Sequence, residues 1–232
     1  MNAPIVSVVS GTLNRLSLLK KMVWSLREGG LENLPYQIVL VDGGSKDGTE
    51  DWCRMQPDVT FIQQGNALGA IKAFNAGFAA AIGKYAVNLN DDVEVMPGVI
   101  PAAVAMLERD RRIGQVAIPF SDPGNKVHLD YCPMPDRQRR LYANFGVTRR
   151  WLGDKLGWWG DYTHTYAGDT HLSTAIWHAG YTVEPLDMRL YVWHEIVQDS
   201  TRCPNTETHM WYEYWAKNWQ GIPAMPRIRE GE

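Results

Sequence analysis

The chemically loaded stretch of this sequence is Asn90-Asp91-Asp92, which closes an apolar run at residues 85–89 and continues as Val93-Glu94-Val95-Met96-Pro97-Gly98. Adjacent carboxylates at the end of a strand suit a hard divalent cation, Mg²⁺ or Mn²⁺, which keeps several waters and is shared between a few protein oxygens and substrate phosphates. A second stretch, Asp42-Gly43-Gly44-Ser45-Lys46-Asp47-Gly48-Thr49, follows the apolar run 38–41. Its glycines permit a tight backbone around a ligand, and the same residues can simply cap the next helix. An aspartate at that strand end can instead accept the imide N–H of uracil or thymine, or the N1–H and amino group of guanine; cytosine has no such N–H. There is no G-x-G-x-x-G, which argues against a dinucleotide-binding dehydrogenase.

The elements that must position these residues are legible as an alternation. Runs 5–9, 37–41, 59–62, 85–89 and 114–119 read as strands, and 13–26, 47–55, 67–82 and 97–109 as helices. Such alternation predicts βαβ units, hence an α/β fold with a Rossmann-type, mainly parallel sheet flanked by helices. In sheets of this kind ligands bind beyond the carboxyl ends of the strands, so segments 10–15, 42–48, 65–69 and 90–94 should converge. Residues 121–161 lose the periodicity and read as a long functional loop region. A helix over 169–179, strands at 182–184 and 189–193, and a tail helix over 207–219 with Trp211, Trp215 and Trp219 four residues apart complete the reading.

Composition narrows the classes. At 232 residues with a formal charge of -3, the chain can bury a core and has no overall attraction for nucleic acid or anionic lipid. The three cysteines, Cys53, Cys132 and Cys203, lie far apart, so neither a disulfide framework nor a zinc site is expected. No run approaches the roughly 20 apolar residues of a membrane span, and a reducing cytoplasm is the expected compartment. Ten tryptophans and ten tyrosines crowd towards the second half, and aromatic faces can grip sugar rings and bases as well as fill a core.

Taken in order, these pieces resemble glycosyltransferase family 2, a group of mostly inverting enzymes with the GT-A fold. Val6-Ser7-Val8-Val9-Ser10-Gly11-Thr12 with Asn14-Arg15 is similar to the family's opening strand and nucleoside loop, and residues 41–49 to its V-D-x-G-S-x-D-G-T segment. Asn66-Ala67-Leu68-Gly69 with Asn75-Ala76-Gly77 resembles its N-x-G helix, and Asn90-Asp91-Asp92 stands at its D-x-D motif. The likeness continues through Trp159-Gly160-Asp161, Gly168-Asp169-Thr170, Ala179-Gly180-Tyr181 and Val192-Trp193-His194.

The resemblance implies one domain, with residues 1–120 as a nucleotide-sugar-binding half, 121–204 as an acceptor-binding and catalytic half, and 205–232 as an aromatic helix and tail. It assigns Mn²⁺ or Mg²⁺ to Asp92 with His194, and the general base to Asp169. Donor contact falls to Thr12, Arg15, Asp42, Asn66, Lys72, Asn90 and Asp91. Departures from the family pattern are Asn90 in place of an aspartate, Gly168 in place of a glutamate, and Phe74 where an arginine often stands, which leaves Lys72 as a substitute. No Q-x-x-R-W follows Asp169, which speaks against the processive branch.

Acceptor contacts are expected from Trp158, Trp159, Asp161 and His164, with His171 also flanking the base. Arg137, Arg139, Arg140, Arg149 and Arg150 lie near these aromatics. They are either a solvated basic face or a clamp for an anionic acceptor, a glycan, a lipid phosphate or a modified nucleic acid. His194 itself reads either as a metal ligand or as a structural histidine that bonds a backbone carbonyl. Two rival readings stay open: a sugar-phosphate nucleotidyltransferase, and a non-catalytic module binding carbohydrate or nucleic acid.

Overall fold

In the computed structural model the chain is described at residues 3–133, 138–161 and 165–197, and at Met210, Glu213 and Lys217 of the tail, which are helical. His164, Arg137, Trp211, Trp215 and Trp219 lie outside the described residues. The first half runs β1 (Val6–Thr12), α1 (Leu16–Ser25), β2 (Tyr36–Asp42), α2 (Thr49–Arg54), β3 (Val59–Gln63), α3 (Ala70–Ala80), β4 (Tyr85–Asn88), β5 (Val93–Val95), α4 (Val99–Arg109) and β6 (Ile113–Ala117). It continues through β7 (Phe120–Ser121), β8 (Val127–His128), β9 (Asp130–Pro133), β10 (Arg139–Tyr142), β11 (Gly146–Arg149), α5 (Arg150–Leu156), α6 (Gly168–His178), β12 (Thr182–Pro185) and β13 (Val192–His194).

The central sheet has the order β12-β6-β11-β4-β1-β2-β3. Strands β4, β1, β2 and β3 run parallel, as the alternation requires, while β11 enters antiparallel between β4 and β6. Strand burial follows period two. Val6, Val8, Ile38 and Leu40 face one hydrophobic cluster with Leu19 and Met22 of α1, and Val9 and Val39 face another with Phe74 and Phe78 of α3. Gly77 lets α3 lie close, since a Cβ there would stand 2.3 Å from Val9 Cγ1. Among the described residues no helix is long and apolar enough to cross a membrane.

The expectation of a loop over 121–161 is corrected. That stretch holds β7 to β11 and α5, strands of two to four residues, too short to display a period. Arg149 leaves the basic cluster. Arg149 ends the central strand β11 and is buried, its guanidinium donating to the carbonyls of Leu107, Asp110 and Ile113. It thus satisfies the Leu107 and Asp110 carbonyls left over at the end of α4, where a cation also complements the helix dipole. Arg150 donates to the Gly83 carbonyl and pairs with Asp154, and Arg140 lies over the Trp177 ring.

A four-stranded sheet, β5-β13-β7-β8, sits beside the main one. Its antiparallel β13–β5 register puts His194 opposite Val93, and the Glu195 N–H donates to the Asp92 carbonyl. Two residues far apart in sequence are thereby fixed side by side.

Helix α6 is pinned to the sheet by a buried polar chain. Ser173 Oγ donates to Gln115 Oε1 and accepts from the Ala143 N–H, and Gln115 Nε2 donates to Thr148 Oγ1. Ser173→Ala should cost about 1–3 kcal/mol, because it strands the Ala143 N–H and one Gln115 lone pair in the core; the urea midpoint should fall with an unchanged slope. The start of α6 is equally constrained, since a Cβ on Gly168 would stand 2.4 Å from Trp159 Cε3. Gly168→Ala should lower stability by about 1–3 kcal/mol through overpacking, measured in the same way.

Candidate active site

The loops beyond β1 and β2 lock onto each other. Asn14 donates its backbone N–H to Ser45 Oγ and accepts from the Lys46 N–H, while Asp47 accepts from the N–H groups of Leu16 and Thr49 at the starts of α1 and α2. The Asp42 carboxylate is fully buried and accepts from both the N–H and the hydroxyl of Ser45. The D-x-G-S-x-D-G-T segment therefore works first as a clamp between two loops.

That clamp frames a cavity of about 340 Å³ at the carboxyl ends of the parallel strands, within the roughly 300–1,000 Å³ typical of small-molecule sites. Thr12, Arg15, Asn90, Asp91, Trp159 and Asp169, all singled out from sequence, line it together. Asp42, Asn66, Lys72, Asp92, Trp158, Asp161 and His194 are not in its lining. Asn66, Lys72 and Asp161 are exposed, and Trp158 is buried with its ring stacked 4.1 Å from Phe78 and its Nε1 donating to Asp154. The Trp158 ring packs against Gly153 of α5, where a Cβ would lie 2.4 Å from it.

Thr12 Oγ1 donates to Asp91 Oδ2 at 2.8 Å, and Arg15 Nη1 reaches Asp91 Oδ1 at 3.2 Å and Asp92 Oδ2 at 3.7 Å. Burial pushes the Asp91 carboxyl up to about 6 against the pull of Arg15 and Thr12. Burial also opposes ionisation of Asp92, yet the His194 imidazole and Arg15 hold that carboxyl below the usual range. Adjacent acids are thus driven to opposite proton affinities by their surroundings.

Asp92 and His194 fit a divalent cation. Asp92 Oδ1 lies 3.3 Å from His194 Nε2, and among the described residues Asp92 Oδ1 and His194 Nδ1 are buried with no hydrogen-bond partner. Two ligands about 2.1 Å from one ion at near-right angles stand roughly 3 Å apart, the spacing seen here. Among the described residues no group of three or more His, Cys, Asp or Glu side chains is gathered for a metal. An ion here must complete its shell from water or substrate, as Mg²⁺ and Mn²⁺ do at phosphates.

Asp169 lies in the first turn of α6 and accepts from the Thr170 N–H at 2.7 Å. The N-terminal end of a helix favours an ionised carboxylate. Burial outweighs the Thr170 hydrogen bonds, with Asp130 adding to it, and pushes Asp169 up to about 6. Its neighbour is Gly168 because the Trp159 ring, stacked 4.1 Å from Phe74, fills the space a glutamate would need. Asn75 fixes that ring's position by accepting from the Trp159 N–H and donating to the Gly160 carbonyl. His171 is buried on the same helix, and burial lowers it to about 4, so it is neutral at physiological pH.

Sequence reasoning missed Gln64, Asn144, Thr165 and Tyr166, which also line the cavity. Gln64 was within reach of the strand-end rule, one residue before the segment singled out after β3. The other three sit in stretches without periodicity, and no sequence signal marks them.

The chain matches the Glycosyl transferase family 2 model over residues 7–156. No curated protein sequence matches it. Among solved structures, the mannosyltransferase PcManGT from Pyrobaculum calidifontis, in complex with GDP-Man and Mn²⁺, is similar with a TM-score of 0.67 at 21% identity, covering 97% of this chain and 66% of that one. TarS 1-349 of S. aureus in complex with UDP-GlcNAc gives 0.65 at 15% identity, covering 84% and 60%. GalNAc-T7 with UDP, GalNAc and Mn²⁺ gives 0.70 at 16%, covering 88% and 46%. The chain spans less than two thirds of the length of each, and at these identities the likeness is one of fold. The family match takes in most of the chain, from β1 through the buried acids to α5, and the architecture is the GT-A arrangement, so this chain belongs to glycosyltransferase family 2.

Proposed function

We propose that this chain transfers a sugar from a nucleoside diphosphate sugar, linked to UDP, dTDP or GDP, onto an acceptor hydroxyl with inversion, using Mn²⁺ or Mg²⁺. The observation that carries the reading is a single cavity lined by Arg15, Asn90 and Asp91 and also by Asp169, with the Asp92 and His194 pair joined to it through Arg15. The structural relatives bound to GDP-Man, UDP-GlcNAc, or UDP with GalNAc and Mn²⁺ support it.

Electrostatics favours a metal-dependent donor. A phosphate oxygen about 4 Å from an ionised carboxylate is repelled by roughly 4 kcal/mol at an effective dielectric of about 20. Among the described residues Arg15 is the cation of the lining, and it is already shared between Asp91 and Asp92. Where the family often has an arginine, Phe74 presents an apolar wall. When bound, the ion would be held by Asp92 and His194 and would offset charge on the departing diphosphate.

The remaining work falls to side chains of this chain. Thr12 and Arg15 hold Asp91 at the donor end, and Asn90 supplies an amide there. Asp169 accepts the acceptor's proton as its oxygen attacks the anomeric carbon and the bond to the diphosphate breaks. A proton affinity raised by burial makes Asp169 a stronger base than an ordinary carboxylate while leaving it mostly ionised at pH 7. We assign the acceptor to the side of Trp159 and Asp161. A nucleotidyltransferase or a silent binding module would not release nucleoside diphosphate from a nucleotide sugar.

Asp92→Ala should abolish the metal-dependent rise in melting temperature that a nucleoside diphosphate sugar produces, and His194→Ala should weaken it less; full metal response in Asp92→Ala removes the cation assignment. Asp169→Asn should keep donor binding and lose transfer by a factor on the order of 10² to 10⁴. Wild-type transfer should fall about tenfold per pH unit below about pH 6 as Asp169 takes up its proton. A flat profile down to pH 5, or wild-type turnover by the asparagine variant, rules out Asp169 as the base.

A further inference from the structure

Helix α6 carries Asp169, Ser173 and Trp177 four residues apart, on one stripe of its surface. Strand β10 lies along that stripe. The Trp177 Nε1–H donates to the Leu141 carbonyl at 3.0 Å, and the Ala143 N–H donates to Ser173 Oγ at 3.1 Å. Two residues of strand advance about 6.8 Å and four of helix about 6 Å, so the two elements keep step. The strand therefore runs towards the start of α6, and Asn144, just past its end, lines the cavity together with Asp169.

Register settles which face of the β9–β10 hairpin is turned to the helix. Arg140 stands opposite Cys132 and Tyr142 opposite Asp130, and because side chains alternate along a strand these four share one face. Cys132 is buried with Ala175 of α6, and the Arg140 guanidinium lies 5.5 Å from the Trp177 ring centroid. The Tyr142 and Asp130 pair is one rung nearer the start of α6. Tyr142 packs on Cys132 and Ala175 together with Ala167, the residue before α6, and its O–H donates to Asp130 Oδ2 at 3.2 Å.

Among the described residues, the titratable and charged groups around Asp169 are Asp130 and Cys132 from β9, and Tyr142 from β10 with Arg140 one rung behind it. Tyr166 shares the cavity, as do Arg15 and Asp91, which are paired with each other. His171, on α6 itself, is neutral at physiological pH. Burial pushes the Cys132 thiol up to about 12 and pushes the Tyr142 hydroxyl up too, with Asp169 adding to both, so neither ionises. Asp130 is the anion the hairpin brings, and its charge adds to burial in raising Asp169.

We infer that Asp130, held by the Tyr142 hydroxyl, is a positioning residue whose charge behind the first turn of α6 favours passage of the acceptor's proton onto Asp169; this rests on Asp169 being the base, as proposed above. Neither Asp130 nor Tyr142 is in the cavity lining, so the pair acts through Asp169 and not on the substrate. As the acceptor oxygen bonds to the anomeric carbon, its proton goes to Asp169 and the electron pair of the broken bond leaves with the diphosphate; Asp130 gains no proton. A second carboxylate close by disfavours the ionised form of the first, which strengthens it as a base. The Tyr142 hydrogen bond keeps Asp130 from turning out to water.

The test reads Asp169 directly, by ¹³C NMR of carboxyl-labelled aspartate titrated in the wild type, Asp130→Asn and Tyr142→Phe, the Asp169 signal being identified by its loss in Asp169→Asn. Asparagine keeps the size of Asp130 and still accepts from Tyr142, so the fold should stand. Removing the charge should lower the Asp169 midpoint by about half a pH unit, the order expected when one neighbouring carboxylate is neutralised. Tyr142→Phe, which releases Asp130, should lower it by less. The second readout is release of nucleoside diphosphate from UDP-, dTDP- and GDP-sugars with Mn²⁺, water serving as acceptor. Its acid limb should move down with the midpoint in each variant, and at pH 8 Asp130→Asn should be about twofold slower as the base weakens. An unmoved Asp169 midpoint in Asp130→Asn overturns the inference alone, as does a midpoint shift that the acid limb does not follow. A wild type that releases no nucleoside diphosphate from any of these sugars overturns the proposed function, and the inference with it, even if the midpoint moves.

Discussion

Two adjacent carboxylates are buried at the end of β4, the middle strand of the central sheet, and each needs its own means of staying there. Asp91 is held by Thr12 from β1 and by Arg15 from the following loop; Asp92 shares Arg15 and lies against His194 from β13. Leaving a charge buried without partners costs several kcal/mol, so these contacts tie the first loop, the central strand and the last strand into one assembly. The small sheet has its meaning here: the β13–β5 pairing holds His194 beside Asp92. Even so, beyond His194 Nε2 at 3.3 Å, Asp92 Oδ1 has no hydrogen-bond partner among the described residues. A buried anionic oxygen left in that state is the feature that most directly asks for a cation.

The other half of the site depends on packing rather than charge. Phe74 and Phe78 on α3 stack with Trp159 and Trp158, and those rings in turn exclude any side chain at Gly168 and Gly153. Asn75, one residue beyond Phe74, fixes the backbone of the same turn. The start of α6, and with it Asp169, is therefore set by an aromatic wall built from α3. Burial behind that wall is also what raises the proton affinity of Asp169. Packing and base strength have a common cause.

Much of this was legible in the sequence wherever a period or an ordered motif existed. The alternation of β1, β2, β3, β4 and β6 with α1 through α4 pointed to the parallel sheet, strand-end position to the segments that hold Thr12, Arg15, Asn90 and Asp91, and the family resemblance to those residues within them. Residues 121–161 were opaque because a strand such as β11 has four residues, ends in an arginine, and is specified by neighbours on both sides rather than by its own pattern. Arg149 shows why residue type alone misleads. A cation in a basic, aromatic stretch suggests an anionic partner, yet this one is buried on three backbone carbonyls. Asp42 shows the same limit, since its motif announces a functional loop without saying whether the carboxylate faces a ligand or its own backbone.

The central claim is that the Asp92 and His194 pair is a cation site shared with a nucleoside diphosphate. A crystal structure grown with Mn²⁺ and the preferred nucleoside diphosphate, with anomalous scattering collected for manganese, tests it most directly. The account predicts one strong anomalous peak within coordination distance of both Asp92 and His194, with diphosphate oxygens completing its shell. A bound nucleotide with no peak at that pair, or with manganese held elsewhere, would contradict it.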